Sequence, residues 1–186
     1  MIGYALCGSF CTVPRSLDAL ARLAEAGYEI QPIVSEHVYS LDTRFQTAKE
    51  LVERVEAITG RRAIHTIVDA EPLGPKLPLD ALVVAPCTGN TLAKIAAGIT
   101  DTSVTMAVKA HLRRDRPTLI ALASNDSLSQ NLQNIATLLL RKQLFFVPMK
   151  QDDPVNKPHS LVADFSGIPA ALSDALAGRQ RRPLFL

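Results

Sequence analysis

The stretch ALVVAPCTGNTLAKIAAG, residues 81–98, decides the fold of this chain. Its first five residues are an unbroken apolar run, which is typical of a strand buried on both faces of a parallel sheet. Pro86 and several small polar residues follow, and the pattern then predicts a helix over residues 91–98. Residues 87–91 are therefore predicted to form a loop at the C-terminal end of a buried strand, where open α/β sheets bind their ligands. The hydroxyls, the amide and the unhindered backbone N–H groups of this loop suit a flat ligand that forms hydrogen bonds.

The same alternation of strand and helix continues along the whole chain. Strands are predicted over residues 2–7, 28–34, 80–85, 118–123 and 144–148. Helices are predicted over residues 16–26, 47–59, 91–98, 129–142 and 168–177. This order predicts a single α/β domain over residues 1–186, with a doubly wound (Rossmann/flavodoxin-like) parallel sheet and helices on both faces. Residues 70–79 and 150–160 contain several prolines and are predicted to be irregular functional loops.

Composition limits the class of protein. The chain has 186 residues, of which 47% are hydrophobic and 20% charged, and its net charge is +2. These values are ordinary for a globular protein with one core and give no sign of a nucleic-acid surface. The basic run at residues 179–182 is interpreted as a solvated tail. Three cysteines without a basic leader segment, and the absence of an apolar run of ~20 residues, predict a cytoplasmic protein.

Two strand ends carry groups that suit a phosphate. Gly8 permits a tight turn after the first strand, and Ser9 and Thr12 supply hydroxyls near the N-terminus of a helix. Ser35 follows the second strand at the same edge of the sheet. The pattern is neither a GxGxxG fingerprint nor a P-loop. A capped helix start and an ordinary turn serine therefore remain the alternatives.

The next strand end offers a candidate substrate contact. Asn125 and Asp126 follow the strand predicted over residues 118–123, and either side chain can orient a substrate. Alternatively, Asp126 or Ser127 caps the following helix. The cysteine spacing does not match a metal site, so no metal is expected. Cys87 is expected to contact a ligand from its loop rather than to act as a nucleophile.

The motif around residues 86–101 resembles a known family. It is similar to the PASANT motif of the FMN-binding flavoproteins, which include flavin-containing cysteine decarboxylases and phosphopantothenoylcysteine decarboxylases. The matching residues are Pro86, Asn90, Thr91, Lys94, Ile95, Gly98 and Asp101. Gly8 and Ser9 resemble the glycine-serine turn of that family, and Ser35 resembles its hydroxyl after the second strand. The resemblance implies an FMN cofactor at the ends of the parallel strands, often at a contact between the subunits of a trimer.

Several positions depart from the family's pattern. Residues 87–89 read Cys-Thr-Gly where the family has Ala-Ser-Ala. Only Asn125 remains of the family's Pro-x-Met-Asn motif, because residues 122–125 read Leu-Ala-Ser-Asn. His65 falls near the place of the family's catalytic histidine, after a longer intervening loop. These departures argue against decarboxylation of a peptidyl cysteine.

Three further segments narrow the resemblance to one branch of the family. Residues 70–80, 124–126 and 151–160 look like those of dipicolinate synthase B subunits. That resemblance implies a role in sporulation, in which this chain and a separate A subunit oxidise dihydrodipicolinate to dipicolinate. The A subunit resembles a nicotinamide-dependent dehydrogenase, so NAD(P) enters only through that partner. The implied partners are the A subunit, a small dicarboxylate and further copies of the chain in a homo-oligomer (a trimer or a multiple of it), with no nucleic acid and no membrane.

The resemblance implies the following assignment of the site. The FMN-binding residues are Gly8, Ser9, Phe10, Thr12, Ser35, Pro86, Cys87, Thr88, Gly89, Asn90 and Thr91. The catalytic residues are Asn125 and His65, and the substrate-binding residues are Lys76, Asp126 and Lys157, with Arg15 and Arg44 as further candidate cations. Two other functions remain open. One is an FMN-dependent decarboxylase of the cysteine type, and the other is a non-catalytic partner that stabilises the A subunit.

Overall fold

A seven-stranded sheet runs through the described part of the chain. The computed structural model describes residues 1–74 and 76–186; Pro75, in the predicted irregular segment 70–79, lies outside the described residues. The strands are β1 (Ile2–Leu6), β2 (Ile30–Val34), β3 (Leu82–Cys87), β4 (Thr118–Ser124), β5 (Leu144–Phe146), β6 (Met149–Lys150) and β7 (Leu161–Ala163). They lie in the order β2-β1-β3-β4-β7-β6, and β5 also pairs with β4.

The first five strands are parallel and follow the flavodoxin-like order 2-1-3-4-5. β1 and β2 are buried at every residue, as expected of strands that are covered on both faces. These observations confirm the predicted α/β class. The sheet is mixed rather than wholly parallel, however, because β7 runs antiparallel to β4 and to β6. β6 and β7 have only two and three residues, and the sequence pattern did not predict them.

Helices cover both faces of this sheet. They are α1 (Val13–Glu25), α2 (Glu36–Ser40), α3 (Ala48–Thr59), α4 (Ile67–Ala70), α5 (Gly89–Ala97), α6 (Ser103–Leu112), α7 (Leu132–Leu139) and α8 (Ile168–Leu176), with 3-10 helices at Phe10–Thr12 and Phe165–Gly167. α1 and α8 bury Leu20 and Leu172 in one apolar cluster, whereas α5 and α6 bury Leu92 and Val104 in the other. Among the described residues, no helix is long and apolar enough to cross a membrane.

Several element boundaries differ from the prediction. α1 begins at Val13 because Pro14 lies in its first turn, where the missing N–H of proline is not needed. The sequence does not predict α6, since seven of its ten residues are buried and it lacks the polar face of an amphipathic helix. α7 is only eight residues long, because residues 125–130 form turns before it.

Candidate functional site

Three helix N-terminal caps line one cleft at the carboxyl ends of β1, β2 and β3. The cleft has a volume of about 320 Å³, and its wall includes Ser35, Thr88 and Thr102, which precede α2, α5 and α6. Thr88 Oγ1 accepts a hydrogen bond from the Thr91 backbone N–H at 3.1 Å, and Thr102 Oγ1 accepts one from the Thr105 N–H at 3.1 Å. Because helix N-termini carry partial positive charge and free N–H groups, this end of the sheet attracts an anion.

The loop predicted over residues 87–91 is in fact the end of a strand and the first turn of a helix. β3 continues through Pro86 and Cys87, both buried, and α5 begins at Gly89. The side chains that face the cleft from this turn are Thr88, Asn90 and Thr91. Cys87 lies in the core, and burial raises the pKa of its thiol well above the ordinary value. The expectation that the Cys87 side chain contacts a ligand is therefore corrected.

A hydrogen-bonded joint fixes the start of α5 against the end of β4. The Asp126 carboxylate accepts hydrogen bonds from Ser124 Oγ and, at 2.8 Å, from Asn131 Nδ2. The hydrogen bond from Ser124, followed by that from Asn131, holds the pKa of Asp126 below its usual range. A Cβ on Gly89 would overlap Ser124 Oγ and lie 2.7 Å from Asn131 Nδ2, so only glycine fits at this approach. Asp126 is engaged within the fold, and its assignment as a substrate contact stays a prediction.

The turn after β1 contributes to the same cleft. Gly8 and Phe10, on either side of Ser9, line it. Thr12 is only 2% exposed, and its Oγ1 donates a hydrogen bond to the Ser9 carbonyl at 2.8 Å. The Thr12 hydroxyl therefore stabilises the turn itself, and its expected contact with a phosphate stays a prediction. Ser9 is partly buried, and its Oγ lies 3.1 Å from Thr12 Oγ1.

A buried acceptor lies beside the cleft at the start of α2. Glu36 follows Ser35, and its Oε1 accepts a hydrogen bond from the Ser103 backbone N–H at 2.8 Å. Within residues 1–74 and 76–186, no donor reaches the buried Oε2 of Glu36. Buried polar atoms in proteins are normally hydrogen-bonded. This oxygen is therefore an unsatisfied acceptor among the described residues.

Lys94 and Cys7 add a cation and a thiol to the lining of the cleft. Lys94 Nζ lies 2.8 Å from Asp101 Oδ2, and this hydrogen bond lowers the pKa of Asp101. Burial raises the pKa of Cys7 to about 11. Cys7 is thus a neutral thiol at physiological pH, and it is unsuited to nucleophilic attack.

Five residues that line the cleft are missing from the assignment made on the sequence. They are Cys7, His37, Leu41, Lys94 and Thr102. Lys94 and Asp101 both belong to the motif that resembles the family's pattern, so the motif could have indicated that Lys94 lies at the site. His37 lies in α2 and Thr102 caps α6, and the sequence predicts neither helix. The sequence therefore gave no indication that these two residues line the cleft.

His65 and Asn125 lie far apart across the sheet. His65 stacks on Tyr39, with 3.6 Å between the ring centroids and 6° between the ring planes. It follows Ile64, which pairs with Ile33 on the outer side of β2, whereas Asn125 is exposed directly after β4. The path from Ile64 across β2, β1 and β3 to β4 covers four strand spacings of about 4.8 Å, or about 19 Å. One copy of the chain therefore does not bring both assigned catalytic residues to one substrate.

The lysines assigned to the substrate lie at different edges of the sheet. Lys76 precedes β3, in a segment where Arg114, beyond the C-terminal end of α6, donates a hydrogen bond to the Gly74 carbonyl at 2.7 Å. This is the amino edge, opposite the cleft of the same copy, and the assignment of Lys76 to the substrate stays a prediction. Lys157 lies between β6 and β7, near the carboxyl end of β4, and its Nζ is 3.2 Å from Asp152 Oδ2.

Comparisons with known proteins agree on one family. A family model described as Flavoprotein matches residues 1–165. The chain is 43% identical over 185 residues to the B subunit of dipicolinate synthase of Bacillus subtilis (strain 168), in a match that covers 100% of this chain and 92% of that protein. It matches the crystal structure of the dipicolinate synthase B subunit from Bacillus halodurans with a TM-score of 0.92 and 39% identity, over 100% of this chain and 95% of that chain. The FMN-dependent cysteine decarboxylase SpaF is more distant, with a TM-score of 0.67 and 27% identity over 94% of this chain and 95% of that chain.

Proposed function

The chain belongs to the flavoprotein family, and from this premise we propose that it is the FMN-binding subunit of an enzyme that oxidises dihydrodipicolinate to dipicolinate. The reaction follows from its homology to the B subunit of dipicolinate synthase, at 43% identity over the full length of the chain. A separate, dehydrogenase-like A subunit completes the enzyme during sporulation and carries the nicotinamide cofactor.

The convergence of three helix N-terminal caps on one cleft is the observation that supports FMN. A phosphate dianion is stabilised by helix N-termini and by hydroxyls such as those of Ser35, Thr88 and Thr102. The buried Oε2 of Glu36 is an acceptor for a hydroxyl of the ribityl chain. At about 320 Å³, the cleft is at the lower end of the ~300–1,000 Å³ range of ligand pockets, so it suits the phosphate and ribityl chain of the cofactor.

The reaction removes two electrons and two protons from a dihydropyridine ring and leaves an aromatic pyridine. A bound flavin supplies the acceptor of the hydride equivalent. The chain itself must hold the substrate and take up the remaining proton. Asn125 is exposed at the end of β4 and donates an amide hydrogen bond to a substrate carboxylate. His65 is the candidate for proton uptake, because an imidazole can bind and release a proton near neutral pH.

The separation of His65 and Asn125 by about 19 Å within one copy supports a homo-oligomer with shared sites. Tyr39, which stacks on His65, is 44% exposed, and Leu41 and Phe45 in the following segment are 47% and 51% exposed, so this region offers apolar side chains to another copy. Mixed oligomers of His65→Ala and Asn125→Ala subunits are expected to recover activity that each variant lacks alone. Two inactive variants that stay inactive after mixing would contradict the shared site.

Ser35 provides a sharp test of the phosphate position. Asp and Asn are both good helix N-caps, so Ser35→Asp and Ser35→Asn conserve the start of α2 and differ mainly in charge. A carboxylate about 5 Å from the phosphate costs roughly 3 kcal/mol per unit charge at an effective dielectric constant of about 20. Ser35→Asp is therefore expected to bind FMN at least about 100-fold more weakly than Ser35→Asn in a fluorescence titration. Equal affinities would refute the phosphate position, and a colourless protein that does not bind added FMN would refute the flavin proposal.

Reconstitution with the A subunit tests the reaction itself. Dipicolinate formation, followed by absorbance together with the flavin spectrum, is expected only when both subunits and FMN are present. The fold and sequence similarity to the decarboxylase SpaF is the reason to assay a second function. Release of carbon dioxide from a peptidyl cysteine, lost in His65→Ala, would replace the proposal with a decarboxylase. Full activity of the A subunit with Ser35→Asp protein that lacks FMN would leave this chain as a stabilising partner only.

A further inference from the structure

A second cleft combines three cations with an aromatic ring. It has a volume of about 300 Å³ and lies between α1, β6, β7 and the 3-10 helix Phe165–Gly167. Arg15, Arg22 and Lys150 line it, and the guanidinium carbon of Arg15 lies 5.6 Å from the centroid of the Phe165 ring. β7 pairs with β4 on the side away from β3, and the two clefts have no described lining residue in common. This cationic cleft is therefore separate from the one proposed for FMN.

The cations of this cleft are available to an anion. Across the described residues, no carboxylate oxygen lies within 4.0 Å of a side-chain nitrogen of Arg15, Arg22 or Lys150. Arg15 and Arg22 lie two turns apart on one face of α1, with their Cα atoms about 10 Å apart along the helix axis. Two long side chains on this spacing can reach two carboxylates of one small molecule. Arginine binds each carboxylate through two parallel hydrogen bonds, which makes this geometry selective.

The carboxylates of the same cleft are in part already occupied. Asp152 Oδ2 lies 3.2 Å from Lys157 Nζ. Asp164 Oδ1 accepts hydrogen bonds from the Ser166 backbone N–H at 3.1 Å and from Ser166 Oγ at 2.6 Å. Asp18 is the remaining carboxylate of the lining. Lys157 offsets the charge of Asp152, so the three cations outnumber the two remaining carboxylates, Asp18 and Asp164, by one charge.

We propose that this cationic cleft binds a small cyclic dicarboxylate. That this dicarboxylate is the product of the pyridine-forming reaction, held apart from the site of oxidation, rests on the function proposed above. Arg15 and Arg22 bind one carboxylate each, Lys150 adds a third positive charge, and the Phe165 side of the cleft accepts the ring. A volume of about 300 Å³ suits a single-ring molecule, whereas a protein segment needs a longer groove.

Dipicolinate, the stable product, is the probe for this cleft. Isothermal titration of the full-length, FMN-loaded protein in metal-free buffer of low salt is expected to show binding that weakens as salt is added. Arg22→Gln is expected to weaken it about tenfold or more, because a hydrogen bond to a charged group is lost. Arg179→Gln, a matched control outside the cleft, removes an exposed partner of Asp174 and should leave the affinity unchanged. Pyridine-2-carboxylate, which lacks the second carboxylate, should bind at least about tenfold more weakly than dipicolinate.

Each outcome separates this inference from the flavin proposal. Unchanged dipicolinate affinity in Arg22→Gln, or equal affinities for the two pyridine carboxylates, would overturn the cationic cleft as a dicarboxylate site. A protein that binds FMN but not dipicolinate would overturn this inference alone. Dipicolinate binding that depends on Arg22, in a protein that does not bind FMN, would support the cleft and overturn the flavin proposal. Loss of A-subunit association in Arg22→Gln, with dipicolinate affinity unchanged, would assign the cleft to the partner subunit instead.

Discussion

The contact between Gly89 and the Asp126 joint makes the strongest single prediction of the structure. In Gly89→Ala, the added Cβ would overlap Ser124 Oγ and lie 2.7 Å from Asn131 Nδ2 and 2.8 Å from Asp126 Oδ1. None of these three groups is a free side-chain end, because Asp126 is held by hydrogen bonds from both Ser124 and Asn131. Relief of the overlap must therefore lengthen or break at least one hydrogen bond to a carboxylate.

The magnitude follows from that broken bond. A hydrogen bond to a charged group contributes about 1.5–3 kcal/mol. Replacing glycine by alanine in a helix recovers up to about 1 kcal/mol of backbone entropy. We therefore expect Gly89→Ala to lower the free energy of unfolding by about 0.5–3 kcal/mol. Because Thr88 and Asn90 flank Gly89 and line the cleft proposed for FMN, the affinity for FMN should fall as well.

Urea unfolding and FMN fluorescence titration measure these two effects. Gly167→Ala is a matched control, since Gly167 also opens a helix at a φ of −83° and its new Cβ would lie 3.4 Å from Asp164 Oδ2, close to ordinary contact. Its effect should stay within about 1 kcal/mol. Adding Ser124→Ala to Gly89→Ala removes the closest overlap, so the double variant should be more stable than the sum of the two single effects predicts. If Gly89→Ala is as stable as the wild type and binds FMN with unchanged affinity, the close contact between residue 89 and the Asp126 hydrogen bonds is refuted.

Three further variants test the electrostatics of the structure. The pKa of Asp126 is lowered in the folded state, so its carboxylate stabilises the fold above the unfolded pKa of about 3.9, and this stabilisation is lost as the pH falls through the folded pKa. Asp126→Asn should therefore lower the free energy of unfolding, measured in urea, less below about pH 4 than above it. A loss of stability that does not depend on pH would contradict this. Burial lowers the pKa of His111, although the hydrogen bond to the Pro117 carbonyl opposes this shift. Below about pH 6.5 the wild type should therefore lose thermal stability more steeply than His111→Gln. Parallel plots of melting temperature against pH for the two proteins would exclude this contribution. Lys94→Gln breaks a half-exposed ion pair with Asp101, so it should change the free energy of unfolding by less than about 1 kcal/mol. The same variant should bind FMN more weakly. Unchanged FMN affinity would show that Lys94 does not belong to the site.

The fold was predictable where local signals define each element. The helix predicted over residues 47–59 is α3, Ala48–Thr59, which begins at a capping box formed by Thr47 and Glu50 and ends at Gly60 with a φ of +67°. Both signals depend on residues within the helix or next to it, so they can be read from the sequence alone. The apolar runs of β1 and β3 are likewise local consequences of burial on both faces.

The site was less predictable because it depends on packing between distant segments. Thr12 and Ser35 look alike in the sequence, as hydroxyls after neighbouring strands. The Thr12 hydroxyl donates a hydrogen bond within its own turn, whereas Ser35 lines the cleft. Lys76 and Lys157 both occupy proline-containing loops, and only the topology shows that they lie at opposite edges of the sheet. Residue type and spacing identify polar candidates, but they do not determine which of them face a common ligand.

The departures from the family motif are coupled by a single contact. The family has alanine where this chain has Gly89, and methionine where it has Ser124. The space that an alanine Cβ needs is taken by the Ser124 hydroxyl, which is oriented by Asp126. The two substitutions are therefore one structural change: a serine in β4 together with the glycine that admits it. Thr88, Asn90 and Thr91 still line the cleft next to these hydrogen bonds, so the polar wall of the cleft is kept. The residue that changes beside Asn125 is its neighbour in β4, Ser124.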